Sequence, residues 1–176
     1  MAISVSKPSA PRGRLPAAES DRLYDRHAQE LSVLLGWFFL RHLNRLYQTF
    51  HGDLLLAIVL GEIAHHNICH HFSSGRPKAG NPDGNLMIPE VWGALEPCNP
   101  FSLSAATGIP RETCRRKIVA LQKQGLVAKH PKGGYVIVQH IGERFRETNR
   151  ETFANVLELI FQLQEILAVP ERAGRR

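Results

Sequence analysis

The chain has 176 residues, a hydrophobic content of 43% and a formal net charge of +6, enough apolar material for one domain with a real core and added helices. The longest apolar runs, at 31–40 and 54–61, are far short of the ~20 residues that a membrane span needs, so membrane function is excluded from the reading. The basic balance points to an anionic partner without naming it.

The first 18 residues, rich in Pro, Ser and Arg and without an apolar h-region, read as a disordered basic tail. With an odd number of cysteines (Cys69, Cys98 and Cys114) this predicts a reducing, cytoplasmic setting and free thiols. Residues 19–50 then predict one helix for dimerisation or packing, capped by Ser20, with Leu23, His27, Leu31, Leu34, Leu35 and Phe38 at helical spacing. Gly52 and Asp53 mark a break and a new cap, and a second helix follows to about Phe72. Trp37, Phe38, Phe39 and Trp92 read as core, or as the lining of a pocket for a small-molecule effector.

The second helix carries "HHNICHHF" at 65–72. His66 and His70 share a face at four-residue spacing, as do His65 and Cys69. Two imidazoles so placed can hold Zn, Ni or Cu if further ligands arrive from elsewhere. His66, His70 and Cys69 are therefore metal candidates for a metal-responsive regulator. The alternative is packing and helix-end hydrogen bonding, and no second ligand pair with metal spacing appears, so no metal or cofactor is assigned.

Residues 73–100 predict an insertion: 73–85 have loop composition, and 86–100, apolar but with three prolines, predict an irregular packed segment or one short helix. The next stretch, "FSLSAATGIPRETCRRKIVALQKQGLVAKHPKGGYVIV" (101–138), is ordered by its punctuation. Leu103, Ala106 and Ile109 predict the inner face of a short helix ended by Gly108. Pro110 suits the first turn of the next helix, which runs to about Gln124, and Gly125 with Leu126 suits its C-terminal cap. Cys114, Ile118 and Leu121 form its buried stripe. A thiol in that stripe reads as a small hydrophobe rather than a redox switch. Residues 126–138 predict a β-hairpin turning at Gly133 and Gly134.

Between Arg111 and Lys132 there are seven Lys and Arg but one acid, Glu112, a local +6 equal to the net charge of the whole chain. The charge is placed rather than diffuse. Short helix, tight turn, basic helix and basic hairpin resemble the winged helix-turn-helix of MarR- and GntR-like bacterial transcription regulators. The likeness covers 101–138. Three departures accompany it: the insertion before the motif, Ser104 where the family usually has Ala, and Cys114 where it usually has Val or Ile.

The resemblance implies a mainly α fold, a winged helix-turn-helix over 51–140 with a small β-hairpin wing, flanked by long N- and C-terminal helices. It implies a homodimer on double-stranded DNA with its recognition helix in the major groove. Arg111, Thr113 and Arg115 are carried over as base or phosphate contacts. Helix geometry adds Arg116. Lys129, His130 and Lys132 would be wing contacts, and Ser102 and Ser104 phosphate donors. Glu112 would accept from a cytosine amine or orient Arg116. The alternative is a winged helix that binds proteins in a larger assembly.

Residues 141–169 predict one long helix, apolar on more than one side, and 170–176 a charged tail. Phe153, Leu157, Ile160, Phe161 and Leu167 are expected at a dimer interface. No GxSxG, P-loop or HExxH motif is present, and no enzyme activity is expected.

Overall fold

The computed structural model describes residues 16–69, 72–73, 76–77 and 95–168, which are mainly helical with short antiparallel strand pairs. The chain divides into two units, one formed by Phe50–Phe145 and the other by the flanking segments up to Thr49 and from Arg146. The tails at 1–15 and 169–176 lie outside the described residues, as do Trp92 and most of 73–94.

In the central unit, α3 (Leu54–Ile68) starts at Asp53, whose carboxylate accepts the Leu56 N–H at 3.0 Å. It buries Leu56, Ala57, Val59, Leu60, Ile63 and Asn67. Strands β1 (Phe72–Ser73) and β2 (Arg76–Pro77) form a minimal antiparallel pair where loop was expected. The end of the insertion, expected to be packed, is buried at Leu95 and Cys98. Cys98 bridges Tyr135 by two backbone hydrogen bonds of 3.1 and 2.8 Å. Its partner lies 37 residues along the chain, which is why local composition read the segment as irregular.

Helix α4 (Pro100–Thr107) opens with a capping box between Asn99 and Ser102 and ends at Gly108, φ +72°. Its buried residue is Leu103, whereas Ala106, expected inside, is exposed. Helix α5 (Arg111–Lys123) follows, with Pro110 at the cap position, one residue before the first turn. Cys114, Ile118 and Leu121 are buried, as their spacing predicts. The C-terminus closes as a Schellman motif. The Leu126 N–H donates to the Leu121 carbonyl and the Gly125 N–H to that of Gln122, while the Leu126 side chain is buried.

Strands β3 (Val127–Lys129) and β4 (Tyr135–Ile137) pair antiparallel with Val127 opposite Ile137. Gly134 has φ +80°, and a Cβ there would lie 2.7 Å from the Cys98 carbonyl oxygen, so the close approach of these backbones requires glycine. Short helix α6 (Ile141–Arg144) ends the unit, and Phe145 stacks on Phe50 with ring centroids 5.6 Å apart. The unit is thus slightly wider than the expected 51–140.

The other unit contains α1 (Ala17–Arg26), α2 (Ala28–Thr49) and α7 (Arg146–Ala168). The single helix expected over 19–50 is broken at His27 and begins before Ser20, because the Pro16 carbonyl accepts the Glu19 and Ser20 amides. The single helix expected over 141–169 is likewise divided at Phe145, whose backbone leaves helical geometry. Arg41 pairs with Glu158 at 3.4 Å and Arg45 with Glu151 at 2.8 Å, so α2 and α7 run antiparallel. Only Leu31 and Leu34 are fully buried among this unit's described residues. Trp37 and Phe39, read as core, are exposed, and the crevice beside Trp37 and Phe38 holds about 10 Å³.

Asn67 is wholly buried, and its side chain joins three segments. Its Nδ2 donates to the carbonyls of Glu96 (2.6 Å) and Tyr135 (3.3 Å), and its Oδ1 accepts the Ile137 N–H at 2.9 Å. Asn67→Leu fits the volume but strands these buried groups. It is expected to cost about 3 kcal/mol, checked by urea unfolding against wild type, with the Ile137 amide losing hydrogen-exchange protection.

Candidate nucleic-acid interface

Burying Cys114, Ile118 and Leu121 turns the opposite face of α5 outward, leaving Arg111, Glu112, Arg115, Arg116, Val119 and Lys123 exposed, with Thr113 half-buried. Strand β3 packs against α5, and Lys129 and Lys132 are exposed on the hairpin that follows. The hairpin is thereby held to the same helix through β3. Arg115, Arg116 and Lys123 rim an open hollow floored by Val119 and Ala120.

The seven cations do different work. Lys117 is bound at 2.5 Å to Asp53, the residue that also caps α3, and so clips α5 to α3 from inside. Arg115 is held by Glu112: Nε donates to both carboxylate oxygens, at 3.1 and 2.9 Å, and Nη2 to one at 2.7 Å. The expected partner of Glu112, Arg116, is left unpaired; spacings of three and four are both within reach on a helix, and the carboxylate takes the former. That hydrogen bond pulls the Glu112 carboxyl below its ordinary pKa and the Arg115 guanidinium above. Arg111, Arg116, Lys123, Lys129 and Lys132 have no ion-pair partner among the described residues. Arg144 donates to the Gln124 carbonyl at 3.2 Å, finishing the end of α5, a role the sequence reading missed.

Two other expected contacts are occupied locally. The Ser102 hydroxyl closes the capping box, accepting the Asn99 N–H at 3.1 Å and donating to the Asn99 carbonyl at 2.9 Å. Asn-x-x-Ser before a short apolar run was the available signal. His130 Nδ1 accepts the Lys132 N–H at 3.2 Å and so shapes the hairpin tip. Ser104 is half-buried. In the histidine-rich stretch, the Cys69 thiol donates to the His66 carbonyl at 3.3 Å, while His70 and His71 lie outside the described residues. Among the described residues no group of three His, Cys, Asp or Glu is placed to hold a metal. Burial pushes the Cys98 thiol up to about 12, and the Cys114 side chain is fully buried. No described helix is long and apolar enough to cross a membrane.

No protein-family model matches the sequence, no curated protein matches it, and no solved structure matches its fold.

Partial burial pushes the Asp53 carboxyl up, but the hydrogen bonds from Lys117 and the Leu56 amide, with the ammonium charge, outweigh it and leave the pKa below 3.8. A carboxyl depressed on folding stabilises fully above its unfolded pKa and loses that contribution as pH falls through the folded value. Asp53→Asn keeps a capping oxygen and removes the charge. It is expected to cost about 1 kcal/mol near neutral pH. Urea unfolding near pH 3 should show a smaller gap between variant and wild type, and an unchanged gap would deny the ion pair any contribution.

Proposed function

We propose that the chain is a sequence-specific double-stranded DNA-binding regulator of the winged helix-turn-helix type, acting as a homodimer. The observation that carries this reading is the placement of charge: five unpaired cations on the exposed face of α5, at its end and on the adjoining hairpin. Phosphates recruit such cations by counterion release, and an exposed helix with forked Arg side chains suits the major groove. The order of elements supports it further: α3, the Cys98 bridge, α4, a Gly108 turn, α5, then a hairpin that pairs back onto Cys98. The hairpin would be the wing.

The dimer rests on the other unit. A helix pair that buries two side chains cannot hold itself together, because small units bury too little surface to offset chain entropy. Val33, Leu40 and Leu43 on α2, and Phe153, Leu157, Ile160, Phe161 and Leu167 on α7, remain exposed. A second copy of the chain supplies a cover in fixed stoichiometry. Sedimentation should give twice 19.7 kDa. The double substitution Leu157→Glu with Phe161→Glu should lower the mass or unfold the unit; an unchanged dimer would place the interface elsewhere.

A second reading, a winged helix that binds protein, is favoured by the exposed apolar side chains Leu55, Ile58 and Phe101 of the central unit. Selection of fragmented genomic DNA at roughly 150 mM salt separates the two, since nonspecific binding is then weakened. The DNA reading expects an enriched inverted repeat. Arg111→Ala and Arg115→Ala should each lose about 1–3 kcal/mol of preference for it, whereas Lys132→Ala should weaken all DNA alike. Retention without a motif would favour the protein-binding module.

A further inference from the structure

Glu112 is the only acidic residue between Leu103 and Ile141, and it stands in the first turn of α5 among Arg111, Arg115 and Arg116. On a surface that would attract phosphates, one carboxylate works against affinity. Its stabilising value is small: both members of the Glu112–Arg115 pair are more than half exposed, and pairs so placed add little to folding. An acid in a first turn also meets the helix dipole favourably, but that holds for any orientation of its side chain. The observed geometry is more particular. Glu112 occupies the side of the guanidinium, taking Nε–H and one Nη2–H. Of five N–H groups three remain, and two of them, one each on Nη1 and Nη2, form the outer end of the fork.

From this we infer that Glu112 is a specificity-determining residue that positions Arg115. The inference rests on the DNA-binding reading above. Clamped along its side, the Arg115 guanidinium loses torsional freedom and presents its outer fork, which is the shape that pairs with N7 and O6 of guanine. The same carboxylate repels phosphate and resists desolvation wherever Arg115 lacks a guanine to bind. It lowers affinity for wrong sequences more than for the right one, which raises the ratio between them. Arg111, Arg116, Lys123, Lys129 and Lys132 supply the sequence-blind attraction; the Glu112–Arg115 pair supplies discrimination.

The test uses the full chain with Glu112→Gln, Arg115→Ala and the double variant. Affinities are measured for the fragment selected from genomic DNA and for a copy whose guanines are exchanged for adenines. Glu112→Gln should bind the exchanged copy several-fold tighter than wild type does, and the preference for the selected fragment should fall about tenfold. Arg115→Ala should then cost less preference in the Glu112→Gln background than alone, since the two act as a unit. Equal urea midpoints for wild type and Glu112→Gln would confirm that folding is not the cause. If wild type discriminates and Glu112→Gln discriminates equally, the positioning role is wrong and the DNA reading stands. If wild type itself shows no preference, both fall together.

Discussion

One buried amide organises the central unit. Asn67 ends the buried stripe of α3, and its side-chain hydrogen bonds all cross to other segments. The return bond from the Glu96 N–H to the Asn67 carbonyl, 3.3 Å, closes the arrangement. A hairpin with three residues in each strand has little stability of its own. Apolar contact from Val127 and Ile137 holds it to the core, but apolar contact is indifferent to small slides. A buried amide is not indifferent, because a donor left without its partner in a dry interior is costly. Asn67 therefore fixes the register of β4 against the end of α3. That register sets Lys129 opposite Tyr135 and leaves Lys129 and Lys132 exposed on the hairpin. The charged face is set from beneath by an uncharged group.

Charge is divided between inside and outside by the same logic. Asp53 caps α3 and receives Lys117 from α5, so one carboxylate fixes both the start of one helix and the tilt of another against it. Lys117 is next in sequence to Arg115 and Arg116, yet a turn of 100° per residue takes it towards the core edge. Sequence proximity within a basic run is therefore a poor guide to which cations reach a partner.

The legible features were those encoded over a few residues. Gly108, Gly125 with Leu126, and Gly133 with Gly134 announce turns through backbone conformations that other residues resist, and the Cys114–Ile118–Leu121 stripe announces a buried face. Illegible features depended on partners far along the chain. Asn67 sits among histidines, where a reader looks for metal ligands, and its partners are 29 to 70 residues away. The 95–98 segment read as irregular and packed, and its pairing with Tyr135 was not legible because that partner lies far along the chain. Asp53 and Lys117 are separated by 64 positions. The breaks at His27 and Phe145 carry no proline or glycine to mark them. At the candidate interface, the exposed helix face was readable from periodicity. The choice of Arg115 over Arg116 by Glu112 was not, since one turn of helix offers both.

The two units differ in how completely they satisfy themselves. The central unit buries a continuous apolar cluster, and among the described residues no buried side-chain polar atom lacks a partner. The helix pair closes its ion pairs, Arg41 with Glu158 and Arg45 with Glu151, but not its apolar surface. That asymmetry bears on the proposed function. One central unit offers about five free cations, and binding that neutralises so few phosphates fades over a modest rise in salt. Joining two such units through the helix pair makes the second contact intramolecular, and the gain comes without any added charge on either face. On this reading the unfinished surface of α2 and α7 is what converts a weak electrostatic patch into a reader: dimerisation supplies the affinity, which leaves the Glu112–Arg115 pair free to favour selectivity over attraction.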